Sequence, residues 1–126
     1  MKSFICVLIW TIIFILFGVY VNKGISDFTY LYKDKIIVIE NNIENDNWHD
    51  AKIQITKLKN SWFEKKDIWY KLLNHESFDE ISLHINILDK CINIKDKSKS
   101  LENIEIIKIT LENILENETY DMQHIL

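Results

Sequence analysis

Several residue types that normally shape a protein chain are scarce in this one. The 126 residues include no proline and only two glycines, and alanine is nearly absent. Helix boundaries must therefore be inferred from clusters of Asn, Asp, Ser and Lys, whose side chains compete for nearby backbone groups. The two cysteines are Cys6, inside an apolar run, and Cys91, far beyond it. This placement predicts no disulfide framework.

Charge patches and catalytic motifs are also missing. The formal net charge is −4, and the Lys, Asp and Glu residues are interleaved, which argues against a nucleic-acid partner. The chain has no Cys-x-x-Cys pair, no His-Glu-x-x-His, no Gly-rich phosphate loop and no nucleophile elbow. We therefore predict a protein that is not an enzyme and that holds neither a cofactor nor a metal ion.

What the chain does contain is a long uncharged run at residues 4–21. About 18 residues span roughly 27 Å as a helix, close to the roughly 30 Å hydrocarbon core of a bilayer. A cleavable signal peptide has a shorter core and a small-residue cleavage site, whereas Val19, Tyr20 and Val21 are bulky. A buried core helix would be apolar along one stripe only. Residues 1–24 are therefore predicted to be an uncleaved anchor that contacts lipid.

The orientation of this anchor is inferred from the lysines around it. Lys2 and the α-amino group precede the run, while Lys23, Lys33 and Lys35 follow it. The immediate flanks often dominate, and long domains cross a membrane largely regardless of their charge. We expect a single-pass protein of the cytoplasmic membrane with its N-terminus inside and its C-terminal domain outside.

Residues 25–126 are enough for one domain with a modest core. Polar clusters at residues 45–47, 74–77 and 95–100 divide them into four segments of helical length. In each segment apolar residues recur at steps of three and four, which predicts amphipathic helices that pack at shallow angles. The seams are Ile25, Tyr32, Ile36, Ile39 and Ile43; Trp48, Ala51, Ile55, Leu58, Trp62, Trp69 and Leu72; Phe78, Ile81, Ile85, Leu88 and Ile92; and Ile104, Ile107, Leu111 and Ile114.

The predicted fold is all-α, an N-terminal transmembrane helix followed by an antiparallel four-helix bundle. Its two helical hairpins cover residues 25–73 and 77–116. The third segment carries a second stripe, beside the first, which favours a bundle over a single hairpin: His84, Ile87, Cys91 and Ile94. Residues 36–39 are β-branched and could form a short strand, but no partner strand is evident.

Local signals refine the helix ends. Ser77 and Glu80 have the spacing of a capping box at the start of the third helix, and Ser98 or Ser100 is placed to cap the fourth. Only Asn22 and Gly24 could interrupt a helix between the apolar run and the first seam. The anchor is therefore predicted to continue into the bundle as a stiff stalk.

One combination of residues could bind a metal ion. Glu80, His84 and Cys91 lie on one side of the predicted third helix, at spacings of four and seven residues. The alternative interpretation, which we favour, makes Cys91 a small core residue and gives Glu80 a capping role.

A contact surface is the more plausible kind of site. His75 and Glu76 lie between the hairpins, where they start a helix or supply a surface contact. Four aromatic residues could add an exposed patch: Phe63, Trp69, Tyr70 and Tyr120. These features favour a membrane-anchored accessory or scaffold that binds an integral membrane protein or self-associates. The alternative is an extracytoplasmic helical domain that senses a small molecule.

Several motifs carry a family resemblance. They are the early anchor, residues 43–48 with the sequence Ile-Glu-Asn-Asp-Asn-Trp, then Ala51, Leu58 and Trp62, the pair His75 and Glu76, and the ending at residues 121–126. In these features the chain resembles a family of short, single-pass helical proteins from low-GC, spore-forming Gram-positive bacteria that carries a domain-of-unknown-function label. The resemblance implies a membrane-anchored helical domain without an established activity, acting beside another integral membrane protein.

Overall fold

The protein is described by a computed structural model that covers the backbone of residues 2–70 and 75–125. Side chains are described over the same ranges except at 21–22, 66, 68–70 and 117–125. Four α-helices are present: α1 Lys2–Glu44, α2 Trp48–Tyr70, α3 His75–Asn93 and α4 Lys97–Ile125. No strand occurs in the two backbone ranges, so the fold is all-α there and the strand alternative at residues 36–39 is excluded.

The longest element is α1, which runs unbroken through 43 residues. At 1.5 Å per residue it extends about 65 Å. The predicted continuation of the apolar run into the first seam is confirmed, because Gly24 lies inside the helix and does not end it. A single glycine in a helix interior costs about 1 kcal/mol relative to alanine, which the flanking turns can tolerate.

The helices pack in a ring in which each contacts two others. α1 contacts α2 and α4, and α3 contacts the same two helices. Ion pairs join Lys33 to Glu112 and Glu40 to Lys108. From the first pair to the second the residue number rises on α1 and falls on α4, so the two helices run in opposite directions. The turn at residues 45–47 reverses the chain, and Tyr32 bonds to Ser61, so α2 runs opposite to α1. Trp62 bonds to Ser82 while Lys52 pairs with Asp89, so α2 also runs opposite to α3.

The core occupies the space enclosed by this ring, and the predicted seams form it at the positions that the structure describes. The side chains of Trp69 and Leu72 lie outside the described residues. The buried apolar residues are Ile25, Phe28, Tyr32, Ile36, Ile39, Ile43, Ala51, Ile55, Leu58, Trp62, Phe78, Ile81, Ile85, Leu88, Cys91, Ile92, Ile104, Ile107, Leu111 and Ile114. Trp48, Phe63 and Leu101 are partly buried against them. The second stripe predicted on α3 is only partly correct, because Cys91 is buried whereas Ile94 is 71% exposed.

The turns after α1 and α3 have the same hydrogen-bond pattern. Asp46 N–H bonds to Ile43 O at 3.1 Å and Asn47 N–H to Asn42 O at 2.8 Å. The second turn repeats these bonds, from Lys95 N–H to Ile92 O at 3.1 Å and from Asp96 N–H to Cys91 O at 2.9 Å. This is the Schellman pattern, in which a residue with positive φ ends the helix.

The residues in that left-handed conformation are Asp46, with φ 59°, and Lys95, with φ 57°. Glycine is the usual residue there because it has no Cβ to clash. A chain with only two glycines uses Asp and Lys instead. The two turns lie side by side, because Lys97 Nζ bonds to Glu44 O at 3.1 Å and to Asp46 Oδ1 at 3.3 Å.

Two predicted helix caps are wrong. α3 already begins at His75, so Ser77 lies inside its first turn and cannot cap it. α4 begins at Lys97, and Asp96 caps it by accepting Lys99 N–H on Oδ1 at 3.1 Å. Ser98 and Ser100 therefore do not cap α4. Asp suits this position as well as Ser does and adds a negative charge at the positive end of the helix dipole.

Candidate functional site

The first half of α1 is the most unusual surface of the molecule. Every side chain described from residue 4 to residue 17 is exposed, and the large apolar ones are between 45% and 73% exposed. Within the described residues α1 is the one helix long and apolar enough to cross a membrane. A membrane anchor and a signal sequence both fit this length and composition.

The predicted interaction residues belong to parts of the helices that lie toward the same end of the ring. Phe63 is on α2, and His75 and Glu76 form the exposed first turn of α3. Trp69 and Tyr70 end α2, and Tyr120 belongs to the last turns of α4, but their side chains lie outside the described residues. Phe63 is half-buried against the core, which leaves only part of its ring for a partner.

The directions of the helices explain why these residues share an end. Tyr32, in the middle of α1, bonds to Ser61, so the later residues of α2 lie beside the earlier residues of α1. Likewise Lys33 pairs with Glu112, so the rest of α4 runs alongside the part of α1 that precedes Lys33. The apolar half of α1 leaves the ring at this end.

An aromatic cluster fills the core near the same end. Phe28 and Tyr32 of α1 pack with Trp62 of α2 and Phe78 of α3, at ring-centre distances from 4.8 to 6.2 Å. Trp62 donates its indole N–H to Ser82 Oγ at 2.8 Å. Because Trp62 is fully buried and its donor is satisfied, it serves packing and offers no platform for a ligand.

The predicted trio Glu80, His84 and Cys91 does not converge. Glu80 is exposed, whereas His84 and Cys91 both face Asn103 of α4. His84 Nδ1 lies 2.8 Å from Asn103 Oδ1, and Asn103 Nδ2 lies 4.0 Å from Cys91 Sγ. Burial raises the pKa of the Cys91 thiol, which disfavours the reactive thiolate. No group of three metal-binding side chains is found among the residues that the structure describes.

Besides Lys33 and Glu112, two groups of charged side chains form ion pairs between neighbouring helices. Asp89 of α3 lies 2.6 Å from Lys52 Nζ and 3.4 Å from Lys59 Nζ of α2. Burial alone would raise the pKa of Asp89, but the two lysines outweigh it and the pKa is lowered. Lys108 of α4 contacts Glu40 of α1 and Glu105 of its own helix, both at 3.2 Å.

Two surface cavities are bounded by described residues. One, which we call the α1–α4 cavity, has a volume of about 210 Å³ and is lined by Thr29, Tyr30, Lys33, Glu112, Leu115 and Glu116. The other, about 290 Å³, lies near the two Schellman turns and is lined by Trp48, His49, Lys52, Ile92, Asn93 and Lys95. In the α1–α4 cavity Lys33 Nζ lies 2.7 Å from Glu112 Oε1, and this contact lowers the pKa of Glu112.

Sequence reasoning missed Thr29 and Asn103. Both are at least 92% buried polar residues in helices, as Thr29 is 2% and Asn103 8% exposed. Their positions follow the steps of three and four that mark the seams, since Thr29 follows Ile25 by four residues and Asn103 precedes Ile107 by four. A polar residue at a seam position was the signal in the sequence that could have identified these two buried polar side chains.

The comparisons with known proteins give a family and no activity. The family model described as Domain of unknown function (DUF4363) matches residues 19–125. No curated protein and no solved structure matches the chain. Because the matched segment covers well over half of the 126 residues, the protein belongs to the DUF4363 family, a domain of unknown function.

Proposed function

We propose that this protein is a non-enzymatic, single-pass accessory protein of the cytoplasmic membrane, whose helical domain binds a partner membrane protein. In this proposal residues 1–24 are an uncleaved anchor, and residues 25–126 form an antiparallel four-helix bundle outside the cytoplasm. The taxonomic origin in low-GC, spore-forming Gram-positive bacteria belongs to the same proposal.

The observation that carries the proposal is the continuity of α1. One helix contains both a fully exposed apolar half and a half that forms one wall of the core. A water-soluble monomer rarely exposes an apolar patch of more than a few hundred Å². Fourteen large apolar side chains are exposed between Phe4 and Tyr20, and together they form an apolar surface far larger than such a patch. A lipid environment for this half removes the conflict.

The helix directions support a partner in the same membrane. The end of α2, the start of α3 and the last turns of α4 lie toward the apolar half of α1. If that half lies in the membrane, as proposed, the helix segments that contain the predicted interaction residues lie on the membrane side of the domain. Confinement to one membrane raises the effective concentration of two proteins. A modest contact surface near His75 and Glu76 is then sufficient for binding.

The experiment is photocrosslinking in the native membrane with the full chain. A photoreactive residue replaces Glu76, exposed at the anchor end, and in a matched variant it replaces Asp50, exposed near the Schellman turns. We expect a discrete adduct from position 76 that mass spectrometry identifies as an integral membrane protein, and none from position 50. Equal labelling from both positions, or adducts with lipid alone, would contradict a specific partner, and adducts with a second copy alone would replace it with self-association.

Anchoring and orientation are tested on the same membranes. We expect the protein to resist extraction by alkaline carbonate and to retain Met1 when its intact mass is measured, whereas a cleaved signal sequence would remove the N-terminal segment. Ser98 is exposed near the Schellman turns. In a Ser98→Cys variant an impermeant maleimide should label intact cells, and labelling only after lysis would reverse the orientation.

A second candidate function is supported by the α1–α4 cavity. An extracytoplasmic domain that senses a small molecule needs a place between its helices for that molecule, and this cavity opens between α1 and α4. Its chemistry is developed below, because it specifies the class of ligand.

A further inference from the structure

We propose that the α1–α4 cavity binds a small, freely diffusing molecule that bears an ammonium group. This inference rests on the second candidate function and is independent of partner binding. Its basis is a buried hydroxyl without a partner, the balance of charge around the cavity, the size of the cavity, and its distance from the anchor.

The hydroxyl belongs to Thr29. Threonines inside helices commonly donate their hydroxyl to the carbonyl one turn earlier. Three of this chain's threonines do so: Thr11 to Val7 O at 2.8 Å, Thr56 to Lys52 O at 2.9 Å and Thr110 to Ile106 O at 2.8 Å. Thr29 Oγ1 is buried and has no hydrogen-bond partner among the described residues.

Because its hydroxyl lacks this bond, Thr29 is able to form a hydrogen bond with a molecule in the cavity. Thr29 lines the cavity, and its side chain is not held by a bond to its own helix. A helical threonine has two accessible χ1 rotamers. For a polar group in the cavity to bond to it, the covered hydroxyl has to rotate about χ1 toward that group. Buried polar atoms usually have a partner, so an orphan beside a cavity points to a ligand or water that supplies one.

The charges around the cavity favour a cation. Lys33 contributes one positive charge, which its 2.7 Å contact with Glu112 balances. Glu116 follows Glu112 by four residues and therefore lies on the same face of α4. It adds a second carboxylate, and the lining carries a formal net charge of −1. An ammonium group can donate to both carboxylates, while Leu115 and the Tyr30 ring contact its carbon chain.

The size of the cavity limits the ligand to a small one. Its volume of about 210 Å³ lies below the roughly 300–1,000 Å³ of sites for drug-sized ligands. A molecule with one ammonium, a short carbon chain and one hydroxyl would use the carboxylates at one end and Thr29 at the other. Ethanolamine has these groups and is the probe that we choose.

The position of the cavity favours a free molecule over a lipid head group. Lys23 is the first charged residue after the apolar run, and Thr29 lies six residues further along the same helix, about 9 Å at 1.5 Å per residue. The head-group layer on each side of a bilayer is roughly 5–8 Å thick. The cavity therefore lies just beyond the layer in which lipid ammonium groups reside.

The test uses the full-length protein in phosphatidylglycerol nanodiscs with ¹³C-labelled threonine methyl groups. Thr29→Val identifies the Thr29 signal, and Thr11, Thr56 and Thr110 are internal controls because their hydroxyls are already bonded. Ethanolamine is titrated to tens of millimolar, beside neutral ethylene glycol and anionic glycolate. We expect a saturable shift of the Thr29 methyl with ethanolamine alone.

A matched pair of variants tests the charge argument. Glu116→Gln should weaken ethanolamine binding about fivefold, the ratio that corresponds to roughly 1 kcal/mol for an exposed ion pair. Glu102→Gln, exposed elsewhere on α4, should leave the affinity unchanged. Equal weakening by both variants would overturn the proposed site, since it would indicate an effect of overall charge.

The remaining outcomes decide the class and source of the ligand. Equal shifts with all three probes, or no shift with any, would overturn the proposal and leave water as the occupant. A shift that needs phosphatidylethanolamine in the nanodisc, with no response to free ethanolamine, would overturn the free-molecule assignment. None of these results bears on the crosslinks from position 76, so this inference and partner binding fail separately.

Discussion

The two halves of α1 differ in apolar content, with 15 apolar side chains among the 19 residues 2–20 and 10 among the 20 residues 25–44, and they have opposite surroundings. We call residues 2–20 the anchor half and residues 25–44 the core half. In the anchor half the aliphatic and aromatic side chains point in all directions and are exposed. In the core half Ile25, Ile36 and Ile39 follow the seam and are at most 1% exposed, while charged residues such as Lys33 and Glu40 occupy other faces.

This contrast shows that the arrangement of apolar residues around a helix, together with their number, decides what the helix contacts. An apolar stripe buries one face against other helices and leaves the rest to water. A helix that is apolar all round has no polar face, so water is a poor solvent for it on every side. Both patterns occur in the single helix α1, and the change from one to the other lies at residues 21–24.

The largest effect that tests the contrast comes from matched truncations, Ile36→Ala in the core half and Ile12→Ala in the anchor half. Ile36 is 1% exposed and Ile12 is 49% exposed. Ile36→Ala should lower the free energy of unfolding by about 2–5 kcal/mol, because it removes buried methyl groups and leaves a cavity. Ile12→Ala should change it by less than about 0.5 kcal/mol.

Denaturant unfolding in detergent micelles measures both variants. The near-ultraviolet circular dichroism follows mainly the packed aromatic cluster at Phe28, Tyr32, Trp62 and Phe78, because the aromatic side chains of the anchor half are exposed. A loss of more than about 2 kcal/mol from Ile12→Ala would contradict the division of α1, since it would give the anchor half a packed environment.

The next effect tests whether the halves form one rod. Gly24→Pro removes a helix N–H and places a ring against the preceding turn, at a cost of about 3 kcal/mol. Spin labels at residues 19 and 34, 15 positions apart, should lie about 22 Å apart along a straight helix. We expect a narrow distance distribution in the parent and in Gly24→Ala, and a broad or shorter one in Gly24→Pro. A broad or shorter distribution in the parent protein would refute the rigid connection.

Much of this contrast follows from sequence alone, because the spacing of apolar residues is a local property. The seams through Ile36, Leu58, Ile85 and Ile107 predict the buried faces, and the clusters at residues 45–47 and 95–100 predict two turns, all of which the structure contains. Helix type, seam and turn position depend on neighbours within a few residues, and these were predictable.

The remaining features depend on atoms that sequence spacing does not specify. Asp46 and Lys95 adopt positive φ, a conformation normally assigned to glycine or asparagine. Asp96 caps α4 although two serines follow it closely. The placement of Asn103 between His84 and Cys91 requires the rotation of α4 against α3. These details arise from tertiary packing, which also decides whether the Thr29 hydroxyl finds an acceptor.

Threonines in each half of α1 give a third test. Thr11 is exposed and bonded to Val7 O, whereas Thr29 is buried with its hydroxyl unpartnered within the described part of the chain. A buried polar atom without a bond costs about 1–3 kcal/mol. Thr29→Val keeps the shape and removes that atom, so it should raise the free energy of unfolding by about 1 kcal/mol in ligand-free buffer.

Thr11→Val is the matched control. Its hydroxyl is satisfied by its own helix and lies outside the core, so unfolding of the domain should change by less than about 0.5 kcal/mol. Denaturant titration of both variants in the same micelles makes the comparison. A destabilised Thr29→Val protein would mean that the hydroxyl is bonded in solution, and the argument from an orphan atom would fail.

The smallest effect concerns charge, which the core half has and the interior of the anchor half lacks. Lys108 contacts Glu40 of the core half and Glu105, and its side chain and that of Glu40 are 20% and 18% exposed. Burial alone would lower the pKa of Lys108, but the two glutamates outweigh it and the pKa is raised. Lys108→Met should therefore cost up to about 1 kcal/mol at neutral pH.

The sign of the pH dependence follows from the direction of that shift. A raised pKa in the folded state gives stability that is fully present below the unfolded pKa of about 10.4 and is lost as pH rises through the folded value. The difference between Lys108→Met and the parent should shrink above about pH 10, as the parent loses the contact. Burial also raises the pKa values of Tyr32 and Cys91, but their titration affects the parent and the variant alike and therefore cancels in this difference. Lys57, exposed on α2, gives the control: the difference in unfolding free energy between Lys57→Met and the parent should not change across this pH range. If the difference for Lys108→Met also stays constant, Lys108 stabilises the contact of α1 with α4 through its carbon chain and not through its charge.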